Sequence, residues 1–215
     1  MFLNILSIIL IIFTVACTIE MTILTLSNVL IKRKKIVANR KNISLAVIIP
    51  AHNEQLNIKR CIESIKKCRK TYNYEIFVIA DNCNDETAKV AEAAGAKVLE
   101  RFSDTEKGKG FALKYAFDYL EDKNYFSYII VDADTVVEAN FIEVIGDKFS
   151  KGASAVQTTY LVNAPEQSKK TKLMNLALMS MNAFRPLGRE KLGLSVGILG
   201  NGFALSKELL KEIPY

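Results

Sequence analysis

The chain has no tryptophan, a single histidine (His52) and only four cysteines among its 215 residues. Cys17, Cys61, Cys68 and Cys83 form no C-x-x-C pair and no cluster with histidine, which argues against both a zinc site and a disulfide framework. Reduced cytosolic thiols are the simple interpretation. Charge is nearly missing from Phe2 to Ile31, where Glu20 is the only charged residue. Acid is missing from Lys32 to Lys41, a stretch holding Lys32, Arg33, Lys34, Lys35, Arg40 and Lys41. The formal charge of +6 equals those six bases, so the remainder is balanced. The pI of 9.0 therefore argues for attraction to anionic lipid and against a nucleic-acid groove. A plain topology signal is the other reading. No internal repeat or low-complexity tract occurs.

As a helix, Phe2–Ile31 would reach about 45 Å, enough to cross a hydrocarbon core of about 30 Å with tilt. A cleaved signal peptide carries its positive charges before the apolar stretch, and here they follow it. Thr14-Val-Ala-Cys17 only faintly resembles a lipoprotein cleavage site. A retained single-pass anchor in the cell membrane is expected, with the basic flank and the following domain cytoplasmic. Glu20 belongs near one interface or opposite a partner helix. The expected organisation is an anchor over residues 1–31, a basic linker over 32–43 and one domain over 44–215.

From Ser44 onward, β-rich runs alternate with helical patterns. Strands are expected over 45–49, 74–79, 96–99, 126–131 and 153–159. Helices are expected over 54–70, with Leu56, Ile58, Ile62 and Ile65 apolar, and over 85–94, 108–120 and 138–149. The alternation, with strands apolar on both faces, predicts an α/β fold: a mainly parallel sheet with helices on both faces. A further helix over 166–184 starts basic and turns rich in Met and Leu, which suits either a cover for the sheet or a membrane-surface helix. Pro186, Gly188, Gly193, Gly197, Gly200 and Gly202 punctuate a segment expected to be mobile.

Ligands of open α/β sheets bind outside the carboxyl ends of the strands. Three predicted strands are followed there by polar runs: Pro50-Ala-His-Asn-Glu54, Asp81-Asn-Cys-Asn-Asp-Glu-Thr87 and Asp132-Ala-Asp134. Carboxylates at i and i+2 after a strand are hard ligands suited to Mg²⁺ or Mn²⁺ shared with substrate phosphates. An isolated pair of this kind also closes a strand as a solvated turn, and Asp85 also suits a helix cap. Glu106-Lys-Gly-Lys-Gly110 precedes a helix and offers backbone and charge to an anion without Walker or dinucleotide spacing.

In order and spacing these motifs resemble those of the family-2 glycosyltransferases, the membrane-anchored branch with cellulose-, hyaluronan- and poly-N-acetylglucosamine-synthase relatives. The resemblance covers Ser44 to the end. It implies a GT-A fold, a nucleoside-diphosphate sugar donor (usually a UDP-sugar), a divalent metal (Mg²⁺ or Mn²⁺) and inversion at the anomeric carbon. It also implies roles. Pro50, Ala51, His52 and Glu54 line the nucleoside pocket, Asp81 binds the base and Lys109 the diphosphate. Asp132 meets donor ribose or sugar and shares the metal with Asp134. Asn201 and Gly202 stand on the acceptor side. The partners implied are the donor, a glycan or lipid-linked acceptor and membrane lipid.

The chain departs from the family pattern in places. His52 replaces the commoner Tyr, and Ala80 stands where many members have Asp. The later acidic motif that supplies the catalytic base and the tryptophan-containing acceptor motif have no match, since Glu190, Glu208 and Glu212 lack the context. The catalytic base is therefore unassigned, and the domain is expected to be incomplete at its carboxyl end. A sugar nucleotidyltransferase is an alternative, although Pro50-Ala-His-Asn-Glu54 is not a triphosphate loop. A non-catalytic membrane scaffold binding nucleotide sugars is another.

Overall fold

The computed structural model describes residues 2–32, 43–161 and 168–213. The basic run from Arg33 to Lys41 and the expected helix start at Glu166 lie outside them. The chain divides into two compact units. One gathers residues 1–35 and 159–199; the other gathers 36–158 and 200–215.

The second unit holds a six-stranded sheet. In chain order it runs β1 (Ser44–Ala51), α2 (Ile58–Lys66), β2 (Asn73–Asp81), α3 (Thr87–Ala93), β3 (Lys97–Arg101), α4 (Lys109–Leu120), β4 (Ser127–Ile130), α5 (Phe141–Ser150), β5 (Ala155–Gln157), β6 (Phe203–Ser206) and α8 (Lys207–Glu212). The first unit contributes α1 (Phe2–Leu30), α6 (Lys169–Met179) and α7 (Arg185–Lys191), numbered in chain order.

The spatial order β3-β2-β1-β4-β6-β5 places β1 between β2 and β4, all parallel, while β6 runs antiparallel to both β4 and β5. Alternation along β1 splits the core. Leu45, Val47 and Ile49 meet Ile58, Ile62 and Ile65 of α2 and Ile142 and Ile145 of α5 on one face. Ala46 and Ile48 meet Ala112, Leu113, Ala116 and Leu120 of α4 on the other. Each fully buried aliphatic side chain contributes roughly 1.5–3 kcal/mol of transfer free energy. That is why the strands read as unbroken apolar runs.

One expectation needs correction. The helix expected from Glu54 starts only at Ile58. Residues 54–57 form a turn closed by Asn57 N–H and Ile58 N–H donating to Glu54 O, which leaves Leu56 87 % exposed. The glycine-punctuated segment contains α7 and leads into β6, a strand of four residues, too short for its period to show. The Met- and Leu-rich helix α6 belongs to the first unit and buries none of its residues.

Within the first unit, α1 is apolar and long enough to cross a membrane over Asn4–Leu30, with mean hydropathy 2.3. Its carboxyl end packs on α7. Gly188 lies so near that an added Cβ would come within 2.5 Å of Leu24 O. Ser27 Oγ donates to Gly188 O at 3.2 Å and Asn28 Nδ2 to Phe184 O at 2.7 Å. Glu20 is paired with Arg185 at 2.9 Å. A π-helical turn, Ser180–Phe184, joins α6 to α7.

The sheet unit contains a comparably tight approach at Gly146 of α5, where a Cβ would sit 2.3 Å from the Tyr72 ring. Gly146→Ala should therefore overpack this face and cost about 1–3 kcal/mol. Thermal unfolding of the full chain should show a midpoint lowered by several degrees. An unchanged midpoint would contradict the packing.

Candidate active site

Because β1, β2 and β4 are parallel and in register, their carboxyl ends share one edge. The chain leaves β1 toward β2 and β3, then returns to β4 on the opposite side, so this edge is also the point where strand order reverses. A cleft of about 460 Å³ opens there. Pro50, Ala51, His52 and Glu54 line it after β1, Asp81 and Asn82 at the end of β2, Lys107 to Lys109 before α4, and Asp132 to Asp134 after β4. Residues far apart in sequence are thus gathered by strand register alone.

The loop after β1 is held from two sides. Asn53 and Asn82 have positive φ, 55° and 49°, a conformation asparagine tolerates better than most residues. Their side chains then bridge loops. Asn53 Oδ1 accepts from Asn84 N–H, and Asn82 Oδ1 from Ser103 N–H, both at 2.8 Å. Glu54 N–H donates to Thr87 Oγ1 at 2.8 Å. Asp85 accepts from Thr87 N–H and Gln55 N–H. Burial works to raise its carboxyl, but those hydrogen bonds outweigh it and hold the group below the usual range.

His52 Nδ1 lies 2.8 Å from Asp81 O, a contact only an Nδ1–H can make, so Nε2 is the acceptor facing Asn53 Nδ2 at 3.4 Å. Both ring nitrogens are engaged, which makes this lone histidine a wall residue of the cleft.

Asp81 is buried at 5 % exposure and pairs with Arg101 at 2.7 Å. The pattern of the sequence gave no hint of Arg101, because it lies two residues after a short strand expected to end at Leu99.

Asp132 lies beside Lys109, whose ammonium also reaches Gly200 O. Gly108 (φ 106°) turns the chain into α4, whose first internal bond is Ala112 N–H to Gly108 O. The amides before it stay free for an anion, reinforced by the helix dipole. Behind the carboxylates, Asn201 Oδ1 accepts from Asp132 N–H at 3.0 Å and Nδ2 donates to Thr135 Oγ1 at 2.9 Å. Gly202 (φ 64°) has no room for a Cβ, which would fall 2.3 Å from Thr158 Oγ1. Asn201 therefore backs the carboxylate turn, and neither Asn201 nor Gly202 lines the cleft.

Among the described residues no group of three or more metal-ligating side chains occurs. Asp132 and Asp134 offer two hard oxygens. That set fits an ion completing its shell with water and substrate phosphate, and does not make a closed cage. Below them Cys61 is fully buried; burial first, then Asp134 and Asp132, push its thiol up to about 12, so it packs as a neutral group. Glu208 and Glu212 lie on α8, beyond the end of β6 that pairs with the start of β4, and hence at the edge of the sheet opposite the cleft.

Asn201→Ala would leave Asp132 N–H without its acceptor, at a cost of about 1–3 kcal/mol. Hydrogen exchange should then speed up about tenfold or more across residues 131–135, read by mass spectrometry. Unchanged exchange would show that the turn holds itself.

Comparison with known proteins supplies the family. The model for glycosyl transferase family 2 matches residues 46–214. The chain is 27 % identical over 155 residues to the 4,4'-diaponeurosporenoate glycosyltransferase of Staphylococcus haemolyticus (strain JCSC1435), covering 69 % of this chain and 40 % of that protein. It thus spans less than half of that relative's length. Among solved structures, the mannosyltransferase PcManGT from Pyrobaculum calidifontis, in complex with GDP-Man and Mn²⁺, superposes with TM-score 0.67 at 16 % identity, covering 95 % of this chain and 57 % of that one. Glucosyl-3-phosphoglycerate synthase from Mycobacterium tuberculosis, in complex with Mn²⁺, UDP-Glc and phosphoglyceric acid, gives 0.58 at 21 % identity, covering 86 % and 66 %. At these identities the two structures speak for the fold alone. The family match spans nearly the whole sheet unit and every cleft motif, and the chain belongs to glycosyl transferase family 2.

Proposed function

We propose that the cleft binds a nucleoside-diphosphate sugar, a UDP-sugar by preference, and passes its sugar to a glycan or lipid-linked acceptor at the cytoplasmic face of the cell membrane. The observation that carries this reading is the convergence of Asp132, Asp134, Lys109 and the amino terminus of α4 on one cleft at the strand switch point. Two carboxylates, an ammonium and free helix amides in one place suit an anion carried together with a divalent cation, and little else.

Pro50, Ala51, His52 and Glu54 form the nucleoside wall, with Asp81 at the base. Lys109 and the first amides of α4 meet the diphosphate. Lys109 balances Asp132 while the cleft holds no donor. A diphosphate would draw the ammonium away and free Asp132 for the donor ribose or sugar. Asp134, exposed at the cleft, would hold Mg²⁺ or Mn²⁺ with Asp132. Such an ion, when bound, supplies positive charge to the departing diphosphate. Both carboxylates are committed to these tasks and are poorly placed to take the acceptor proton. The catalytic base is not assigned to a residue of this chain. Asn201 and Gly202 stand on the acceptor side, where Asn201 fixes the turn that carries Asp132.

Residues 1–31 serve as anchor in this reading and 32–43 as basic linker, with the domain over 44–215 in the cytoplasm. The apolar surface of α1 supports it, with Ile8 to Phe13 more than half exposed. One staphylococcal relative takes, by its name, 4,4'-diaponeurosporenoate as its substrate.

Calorimetric titration of the full chain with UDP should show affinity raised at least about tenfold by Mn²⁺. Asp134→Ala should remove that dependence while leaving weak metal-free binding. Equal binding with and without Mn²⁺ would overturn the role of the carboxylate pair. For topology, protease added to intact cells should leave the sheet unit uncut; cleavage from outside would place the domain on the other face and exclude cytosolic donors.

A further inference from the structure

Arg101 reaches the site from behind. It ends β3 directly opposite Asp81 in the parallel register, and its side chain is 8 % exposed. Nη1 donates to Asp81 Oδ1 and to Glu106 O, both at 2.7 Å, and Nη2 donates to Glu106 Oε2 at 2.8 Å. Asn82 Nδ2 donates to the same Asp81 Oδ1 at 3.2 Å. A carboxylate oxygen has two lone pairs, so Oδ1 is filled. Among the described residues nothing donates to Asp81 Oδ2, and Asp81 lines the cleft.

We propose that Arg101 is a positioning residue that sets base specificity: it takes one oxygen of Asp81 and leaves the cleft a single carboxylate acceptor, which suits uracil and disfavours guanine. The proposal rests on Asp81 meeting the base. Uracil presents one imide N–H at N3, which a single oxygen satisfies. Guanine presents N1–H and the 2-amino group side by side and needs both oxygens of a carboxylate to satisfy them.

The arrangement resists adjustment. Freeing Oδ1 for guanine would expel a buried guanidinium from a buried carboxylate, leaving charge uncompensated on both sides. The grip on the Glu106 carbonyl and carboxylate fixes the fork, and the ring of Phe111 lies 5.8 Å from Arg101 Cζ. Ser103 N–H on Asn82 and Glu106 N–H on Ser103 Oγ hold the intervening loop in place. The fold does not choose the base, since its solved neighbours include complexes with UDP-Glc and with GDP-Man.

The test is titration of UDP and GDP into the full chain in the presence of Mn²⁺. The parent should favour UDP by about tenfold or more, the worth of one hydrogen bond to a charged group. Arg101→Met should weaken UDP and bring the UDP-to-GDP ratio toward one, because Oδ1 becomes available. Arg101→Lys cannot span Asp81 and Glu106 in the same way and should give an intermediate ratio; it carries the test should Arg101→Met not fold. A purely structural role would weaken both nucleotides equally, and an unchanged ratio in a folded variant overturns the proposal. So does a parent that favours GDP. Asp81→Ala separates the two readings: UDP affinity unaffected by that change means Asp81 does not meet the base, whatever Arg101 does.

Discussion

The parallel register of β1 between β2 and β4 is the constraint on which the rest of the sheet unit depends. Pro50 lies opposite Ile79, and Ile48 opposite both Phe77 and Ile130, so the three strands run out at one edge. A slip of one residue would turn each inward aliphatic side chain to the other face. Val47 and Ile49 would lose α2 and α5, and Ala46 and Ile48 would lose α4. Core packing therefore fixes the height at which the polar loops begin. The cleft is a consequence of apolar packing a few residues away.

The edge carries charge that the core could not accept. Asp81 and Arg101 are both nearly enclosed, and removing one partner of such a pair costs about 3–5 kcal/mol. Their mutual hydrogen bonds make the enclosure tolerable. Lys109 and Asp132 are more open, each about a third exposed. The two pairs differ in setting: one is enclosed and the other faces the cleft. Left-handed Asn53 and Asn82 serve the same end, since their strained backbone is offset by side chains that join neighbouring loops.

The unit built from α1, α6 and α7 follows different physics. Its apolar surface faces outward, and its cohesion comes from close approach at Gly188 and from polar contacts by Ser27, Asn28 and Glu20. Glu20, conspicuous as the one charge of the apolar stretch, has its counterion in Arg185.

Local pattern was enough to determine the alternating elements, the apolar span and the polar runs after three strands, because each is written in contiguous residues with period 2 or 3.6. Asp81, Lys109, Asp132 and Asp134 stood out as charged residues beside expected elements, and the cleft gathers them. Helix starts were not legible, and Leu56 shows why: a turn closed on Glu54 delays α2, and no periodicity records it. The four-residue β6 lies below the length at which alternation can be seen. Arg101, Asn82 and the clamp made by Asn201 escaped as well. Their partners are 20, 21 and 69 residues away, across strands or loops whose pairing exists only once the sheet has formed. Sequence determined which chemistry the edge would hold. Tertiary structure decided which oxygen of Asp81 stays free, what holds Asp132 in place and where Glu20 finds its charge, because each depends on distances set by packing between segments remote in the chain.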